Sequence, residues 1–166
     1  MERTHEENVA KLAKLLKGIR IGMLTTAQAD GTLRSRPMAT QQTEFDGVLW
    51  FFTELSSAKT DEIEQDHHVN ISYAKPDDQV YVSVSGRARS VRDLQKAKEL
   101  WNPMNKAWFP NGPEDPNVGL LRVEVDQAEY WDSPSNPVVH MIGFAKAIAT
   151  GKRYADEGTD HAKVTF

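Results

Sequence analysis

Residues 32–60 read TLRSRPMATQQTEFDGVLWFFTELSSAKT and contain the pattern that decides the fold. Two segments with strand-like composition, residues 32–42 and 48–54, flank Asp46–Gly47, a dipeptide that favours β-hairpin turns. The following serines at 56 and 57 can cap a short helix whose first turns are acidic. The stretch therefore predicts a strand, a hairpin turn, a second strand and a helix.

The segments outside this stretch add more strands of the same type. Residues 79–91 alternate valine with tyrosine and serine, which is the period-two pattern of a half-buried strand. The first three strands follow one another without a crossover helix, which favours an antiparallel barrel over a parallel sheet. The prediction is an α+β fold in one domain, residues 1–166, with strands at 21–26, 32–42, 48–54, 69–74, 79–91 and 119–132 and helices ending at Gly18 and covering 56–66, 91–101 and 138–155.

The overall composition excludes several classes of function. A net charge of -4 and a pI of about 5.7 argue against a nucleic-acid binder, so any anion site must be local. The absence of cysteine excludes thiolate metal sites and cysteine nucleophiles, and the histidines lack zinc-ligand spacing. No segment looks like a signal peptide or a membrane span, so a cytoplasmic protein is expected. Ser135 lacks a nucleophile-elbow context, and no catalytic or metal-binding side chain is predicted.

Arg34 and Arg36 are two positions apart on a strand and therefore share a face. A two-residue turn pairs Thr40 with Thr53 and directs both arginines toward the start of the second helix. A four-residue loop shifts each pairing partner by two residues, so the same side chains still share a face. The helix start contributes free backbone N–H groups, and Ser57 and Lys59 lie there. The arrangement predicts a pocket for a phosphate or another dianion.

The same face continues along both strands into apolar residues. Met38, Phe51 and Thr53 lie on it, which suits a long, flat, phosphorylated ligand such as flavin mononucleotide (FMN). Alternating arginines on a strand are more often a solvated face, and serines before a helix are more often only a cap. Only their convergence favours a ligand site.

Four segments, RSRPMAT, LWFFTELSSAKTDEI, VSVSGRA and AEYWD, are similar to the FMN-binding split β-barrels of the pyridoxamine phosphate oxidase superfamily, and most of all to its general stress protein branch. The resemblance covers nearly the whole chain. It implies a six-stranded antiparallel split β-barrel with flanking helices, FMN or FAD as cofactor, and a homodimer with the flavin at the subunit interface. It also implies a small-molecule redox partner and no nucleic-acid or membrane partner.

The resemblance assigns roles to individual positions. Arg36 matches an arginine that contacts the FMN phosphate or ribityl chain, Ser57 and Lys59 match a Ser-x-Lys phosphate clamp, and Trp131 matches a tryptophan that approaches the partner subunit's flavin. Trp108 is a candidate lid residue, although packing is the commoner role for such an aromatic. The full predicted cofactor set is Arg34, Ser35, Arg36, Pro37, Met38, Phe51, Phe52, Thr53, Ser57, Lys59, Trp108 and Trp131.

Three positions depart from the oxidase pattern. Ala58 replaces an arginine of the clamp, Gln41 falls where a substrate-contacting lysine is expected, and Pro137 falls where an arginine is expected. The resemblance therefore implies that flavin binding is kept and that pyridoxamine phosphate oxidation is weak or absent. A flavin-dependent oxidoreductase, a non-catalytic flavin sensor or reservoir, and a barrel that binds a deazaflavin are the three alternatives.

Overall fold

The computed structural model describes residues 3–41, 44–134, 137–154 and 159–166. This part of the chain folds into four α-helices, seven strands and two 3-10 helices. The α-helices are α1 His5–Lys17, α2 Ala58–Gln65, α3 Leu94–Leu100 and α4 Pro137–Thr150. The strands are β1 Ile21–Ala27, β2 Leu33–Ala39, β3 Val48–Glu54, β4 His68–Lys75, β5 Val80–Val91, β6 Val118–Asp132 and β7 Asp160–Thr165, and the 3-10 helices are Pro76–Asp78 and Pro103–Ala107.

The strands form one curled antiparallel sheet in the order β2-β1-β4-β5-β6-β3. β6 is 15 residues long, so one of its edges has room for two partners: β3 pairs with its first half and β7 with its second half. A bridge between Thr40 and Phe51 brings the two ends of the curled sheet together. This confirms the predicted α+β class and the split barrel of six antiparallel strands.

The barrel interior and a smaller outer cluster bury the apolar side chains. The alternating residues of β5, including Val82 and Val84, point inward together with Phe51 and Tyr73, and Leu12 of α1 closes this core. The other face of β3 forms the outer cluster, in which Phe52 packs edge-on against Trp101 with ring centroids 5.5 Å apart. The two faces of β3 therefore serve two different cores.

The predicted β2–β3 hairpin ladder is wrong. Within the described residues, β2 pairs along its length with β1, and β3 pairs with β6. β2 and β3 share only the Thr40–Phe51 bridge, which has the register of a four-residue loop, and a hydrogen bond from Gln41 N to Trp50 O of 2.9 Å. β2 pairs over its whole length with β1 and β3 over its whole length with β6, so neither strand needs the other to satisfy its backbone groups. Gln42, the predicted end of the second strand, lies outside the described residues.

The remaining boundaries agree with expectation except at the C-terminus. α1 ends at the expected Gly18 and begins with a capping box between Thr4 and Glu7, in which each side chain accepts from the other residue's backbone. The last helix forms but ends at Thr150, earlier than the predicted residue 155, and strand β7 follows it and was not predicted. Across the described residues, no helix has the length and apolar character that crossing a bilayer requires.

Candidate functional site

Lys59, in the first turn of α2, is the cation at the centre of the candidate site. Ser57 occupies the N-cap position, as predicted, but its hydroxyl makes no capping hydrogen bond. Instead, Ser57 Oγ accepts a hydrogen bond from Lys59 Nζ at 3.0 Å and lies 3.2 Å from Thr60 Oγ1. Among the described residues, no carboxylate lies within ion-pair distance of Lys59, so its charge is available to a bound anion.

The two arginines of β2 point toward α2, but their acidic partner is further along this helix than the predicted contact. Arg36 Nη2 donates to Glu62 Oε2 at 2.7 Å, and Arg36 Nη1 donates to Thr26 Oγ1 at 2.5 Å. Arg34 Nη1 lies 3.8 Å from the other oxygen of Glu62. Both arginines were predicted to approach the start of the helix. Instead, they lie beside Glu62, one turn beyond Lys59.

The nearby charges and burial shift the pKa values of Lys59 and Glu62. Burial is the main cause that lowers the pKa of Lys59, and the nearby positive charges of Arg36 and then Arg34 lower it further. The pKa of Glu62 is also lowered, first by the hydrogen bond from Thr26 and then by Arg36, against the opposing effect of burial. Lys59 is therefore a partly desolvated cation beside other positive charges, and a bound anion would offset this unfavourable environment.

A cleft of about 380 Å³ opens beside Lys59, between the end of β2, strand β3 and the 3-10 helix at 103–107. Its volume lies within the range of roughly 300–1,000 Å³ that is typical of small-molecule and cofactor sites. Most of its wall is apolar or aromatic. The lining residues are Ile21, Pro37, Met38, Ala39, Gln41, Phe52, Thr53, Glu54, Lys59, Asn105, Trp108 and Phe109.

The structure brings six of the twelve predicted residues to this cleft. They are Pro37, Met38, Phe52, Thr53, Lys59 and Trp108, and the last of these is 77% exposed at the cleft edge. Arg34, Arg36 and Ser57 lie next to Lys59 outside the lining.

Three predicted residues lie elsewhere. Phe51 is completely buried in the barrel core, because its neighbour Phe52 takes the cleft side of β3. Ser35 faces outward and lies 2.6 Å from Thr25 Oγ1. Trp131 lies near the opposite end of β6, where its ring stacks on His161 with centroids 5.3 Å apart, so it does not line the cleft of its own chain.

Sequence reasoning missed Asn105, Glu54 and Glu62. Asn105 lies in the cleft wall, and its Nδ2 atom is buried without a hydrogen-bond partner among the described residues. Nothing in the local sequence of Asn105 indicates this position. Glu62 had a detectable signal, because it is three residues from Lys59 on the same helix and such residues are neighbours on a helix surface.

The barrel, the cation cluster and the adjoining cleft together define a class: split-barrel proteins with a group of cations beside a largely apolar cleft. Comparison with known proteins specifies this class further. The family described as Pyridoxamine 5'-phosphate oxidase like matches residues 7–155. The chain belongs to this family.

Individual proteins are also similar to this chain. Protein bli-3 of Neurospora crassa is 36% identical over 157 residues, which cover 89% of this chain and 75% of that protein. The crystal structure of the general stress FMN/FAD binding protein from Xanthomonas citri has a TM-score of 0.67 and 33% identity, with 76% of this chain and 89% of that chain covered. A general stress protein 26 structure from Jannaschia sp. CCS1 has a TM-score of 0.74 at 22% identity, covering 98% and 100% of the two chains, and supports the fold.

Proposed function

We propose that this chain is a flavin-binding protein that holds FMN, or the FMN half of FAD, in the cleft beside Lys59. The observation that carries the proposal is the position of Lys59, which lines a largely apolar cleft and lies close to Arg34 and Arg36. The similarity to the Xanthomonas citri FMN/FAD binding protein supports it. Residues 1–166 then act as one flavin-binding domain, and its cytoplasmic location stays a prediction.

The residues present fit such a group in both charge and shape. The cluster has three cations, Arg34, Arg36 and Lys59, against two carboxylates, Glu54 and Glu62, which leaves a local positive charge in an acidic chain. A phosphate ester carries about -1.5 to -2 charges at neutral pH, so it complements this excess.

The apolar part of the cleft suits a flat aromatic ring. Met38, Phe52 and Trp108 provide apolar and aromatic surface there, and Thr53 provides a hydroxyl. Lys59 and Ser57 hold the phosphate, and Arg36 supports Lys59 electrostatically. A bound flavin supplies hydride and single-electron transfer, and the chain supplies binding and orientation.

The test of this proposal is the absorption spectrum of the purified protein, followed by chromatography of whatever is released on denaturation. A flavin spectrum and released FMN or FAD are the expected result. A deazaflavin spectrum would mean that the site binds a deazaflavin instead of a flavin. A protein that neither contains nor takes up any such chromophore would refute the proposal.

We further propose that the flavin is redox-active and that pyridoxamine phosphate oxidation is weak or absent. Ala58 offers no charge for a substrate phosphate, and the Gln41 amide donates to the Ala39 carbonyl at 3.2 Å. Pro137 begins α4 and has no charge either. A purified protein that oxidised pyridoxamine phosphate at rates of about 1 s⁻¹ or more would contradict this part of the proposal.

A flavin sensor or reservoir without turnover is the second candidate. The described lining residues include no histidine and no tyrosine, and Lys59 and Glu54 are the ionisable groups among them. The Tyr73 hydroxyl, 2.7 Å from Thr40 Oγ1, lies in the barrel, where burial raises its pKa to about 12. A cleft with few proton donors suits storage as well as electron transfer.

Anaerobic addition of NADH or NADPH separates the two candidates. For an oxidoreductase, we expect one of these donors to bleach the flavin absorption of the loaded protein at about 450 nm as the flavin accepts the hydride. Free FMN at the same concentration is the control for the background rate. If neither donor accelerates bleaching over this background, the simple reductase form of the proposal is excluded and the storage function is favoured.

The lowered pKa of Lys59 predicts how FMN affinity depends on pH. Bound phosphate raises the pKa of Lys59 again, so binding takes up a proton at any pH between the pKa values of the free and the bound protein. FMN affinity is therefore expected to fall as the pH rises through this interval, which begins below the ordinary lysine value of 10.5. Titrations at a series of alkaline pH values measure the effect.

The control for this prediction is Lys59→Arg, because a guanidinium stays charged over the whole range. This variant should lose the alkaline fall, as should riboflavin binding to the unmodified protein, since riboflavin has no phosphate. An identical alkaline fall in Lys59→Arg would show that another group is responsible.

We also propose that the chain forms a homodimer with the flavin at the subunit interface. The outer face of β1 and β2 beside the cleft exposes Ile21, Met23 and Leu33 at 54%, 41% and 71% of their surface. Trp131 is too far along β6 to reach the cleft of its own chain, so a contact with flavin requires the partner's cleft. The flavin site is then complete only in the dimer.

A further inference from the structure

Helix α4 has an apolar stripe that its own chain leaves exposed. Met141, Ile142 and Ile148 are exposed at 68%, 63% and 80% of their surface, and Ala145 lies between them at helical spacing. No described residue of α4 is buried. A helix that keeps such residues in water is a typical interaction surface.

The other side of α4 is the side attached to its own chain. Phe144 stacks on Tyr154 with centroids 4.8 Å apart, and Gly143 lies against the edge of the same ring. His140 Nδ1 lies 2.9 Å from the Tyr154 hydroxyl, and its Nε2 lies 2.6 Å from the Pro134 carbonyl oxygen. These contacts attach one side of α4 to Pro134 and Tyr154 of its own chain, and the apolar stripe lies on the opposite side of the helix.

We propose that the α4 stripe docks on a second copy of this chain and covers the mouth of that copy's cleft, next to the exposed outer face of β1 and β2. This inference rests on the proposed function, because it assigns the missing wall of the flavin site. A membrane-surface helix would need a strongly charged face and low overall hydrophobicity, whereas α4 has one lysine in 14 residues. A helix that is apolar on most sides is typically buried in protein.

The order of the strands is the basis for the symmetry of the proposed dimer, whose two-fold axis we place along the central pair β4–β5. β1 and β2 lie on one side of the central pair β4–β5, and β6 and β7 lie on the other. A two-fold axis running along β4 and β5 therefore exchanges the cleft side of one copy with the α4 side of the other. The outward side chains of the central pair include Ser72 and Ser83, which are small enough for two copies to approach closely.

The strand registers determine which end of the partner α4 reaches. Asp132, the last residue of β6, pairs with Val80, and Val80 pairs with Lys75 at the end of β4. This is the same end of the sheet as Ile21, the first residue of β1. An axis along the strands preserves the end, so α4 of one copy reaches Ile21 and the cleft of the other.

Charge favours the same partner. Residues 137–154 include Lys146, Lys152 and Arg153 and no acidic residue, whereas the whole chain has a net charge of -4. A second copy thus has an overall charge opposite to that of the α4 segment, which favours their encounter, whereas the cleft itself has a local positive charge that favours the flavin phosphate.

Cross-linking tests this contact directly, because the natural chain has no cysteine. The full-length double variant Ile21→Cys/Ile142→Cys, treated with a short bismaleimide, is expected to run as a covalent dimer on a denaturing gel. Each single variant, and the double variant Ile21→Cys/Lys14→Cys with its second thiol on α1, should run mostly as monomer. Equal dimer yields in the test and control variants would overturn the contact.

A second variant links the contact to the cleft. Met141→Glu/Ile148→Glu changes exposed side chains, so each chain should still fold, but FMN binding should weaken roughly tenfold or more. Thr150→Glu, a charge elsewhere on the same helix, should leave the affinity unchanged. An unchanged affinity in the double variant would contradict the proposal that α4 covers the partner's cleft.

The possible outcomes separate this inference from the proposed flavin function. If the natural protein binds no flavin but Ile21 and Ile142 cross-link between copies, the proposed cofactor is wrong and the contact between copies stands. If flavin binds normally and no cross-link forms, only the proposed contact of α4 with the second copy is wrong. Sedimentation of a monomeric protein with phosphatidylserine vesicles would assign α4 to a membrane surface and overturn the contact with a second copy.

Discussion

Replacing Lys59 by methionine is expected to weaken FMN binding by about 1.5–3 kcal/mol, or roughly tenfold to a hundredfold. The substitution removes a charge-assisted hydrogen bond to phosphate while keeping the apolar stem that lines the cleft. Titration of cofactor-free protein with FMN, followed by quenching of flavin fluorescence, measures the change.

The fold should not suffer from this substitution. The charge of Lys59 is already disfavoured by burial and by Arg36, so its removal should leave the free energy of unfolding unchanged or slightly raised. Lys14→Met, a substitution on the exposed face of α1, is the matched control and should keep full affinity. Equal FMN affinity of Lys59→Met and the unchanged chain would show that the phosphate lies elsewhere.

Replacing Arg36 by methionine is expected to lower the free energy of unfolding of the cofactor-free protein by about 3 kcal/mol. Arg36 and Glu62 are only 15% and 14% exposed, and the substitution leaves the carboxylate without its closest charged partner. Losing one member of a buried pair costs roughly 3–5 kcal/mol. We expect the lower end of this range because Arg34 stays 3.8 Å from Glu62. Urea unfolding at one fixed protein concentration measures the loss.

A double-mutant cycle shows whether this loss comes from the pair. Arg36→Met/Glu62→Gln should recover about 2 kcal/mol of the loss, because the glutamine can keep the hydrogen bond from Thr26 without an unpaired charge. Arg87→Met, which breaks an exposed pair with Asp126, should change stability by about 0.5 kcal/mol or less. If the double variant is no more stable than Arg36→Met, the salt bridge does not hold α2 against β2.

Local sequence patterns predicted the elements and the class of the fold but not the partners of every strand. The two-residue periodicity of β5 and the shared face of Arg34 and Arg36 follow from strand geometry, and the structure has both. The β2–β3 ladder failed because adjacency along the chain does not decide pairing when other strands can also pair over the full length, as β1 does with β2 and β6 with β3. Strand β7 was missed because it is only six residues long and no strand pattern was recognised after the last helix.

The candidate site was predictable in its charges and less so in its walls. Parity alone predicted the shared face of Arg34 and Arg36. The hairpin register that was to bring them to α2 is absent, and Arg36 reaches Glu62 of α2 from a strand that pairs with β1. The cleft also needs Asn105 and Trp108, and their approach to β3 depends on how the loop before β6 crosses the outer cluster. Such long-range packing has no signature in a short segment.

The choice of FMN or riboflavin as ligand most directly tests the central claim that a phosphate binds beside Lys59. Equilibrium titration of the cofactor-free protein with each compound at neutral pH isolates the phosphate, because the two share the same ring and ribityl chain. We predict that FMN binds at least roughly tenfold more tightly than riboflavin, and that Lys59→Met removes most of this difference. Equal affinity for FMN and riboflavin, or binding of neither, would contradict the account.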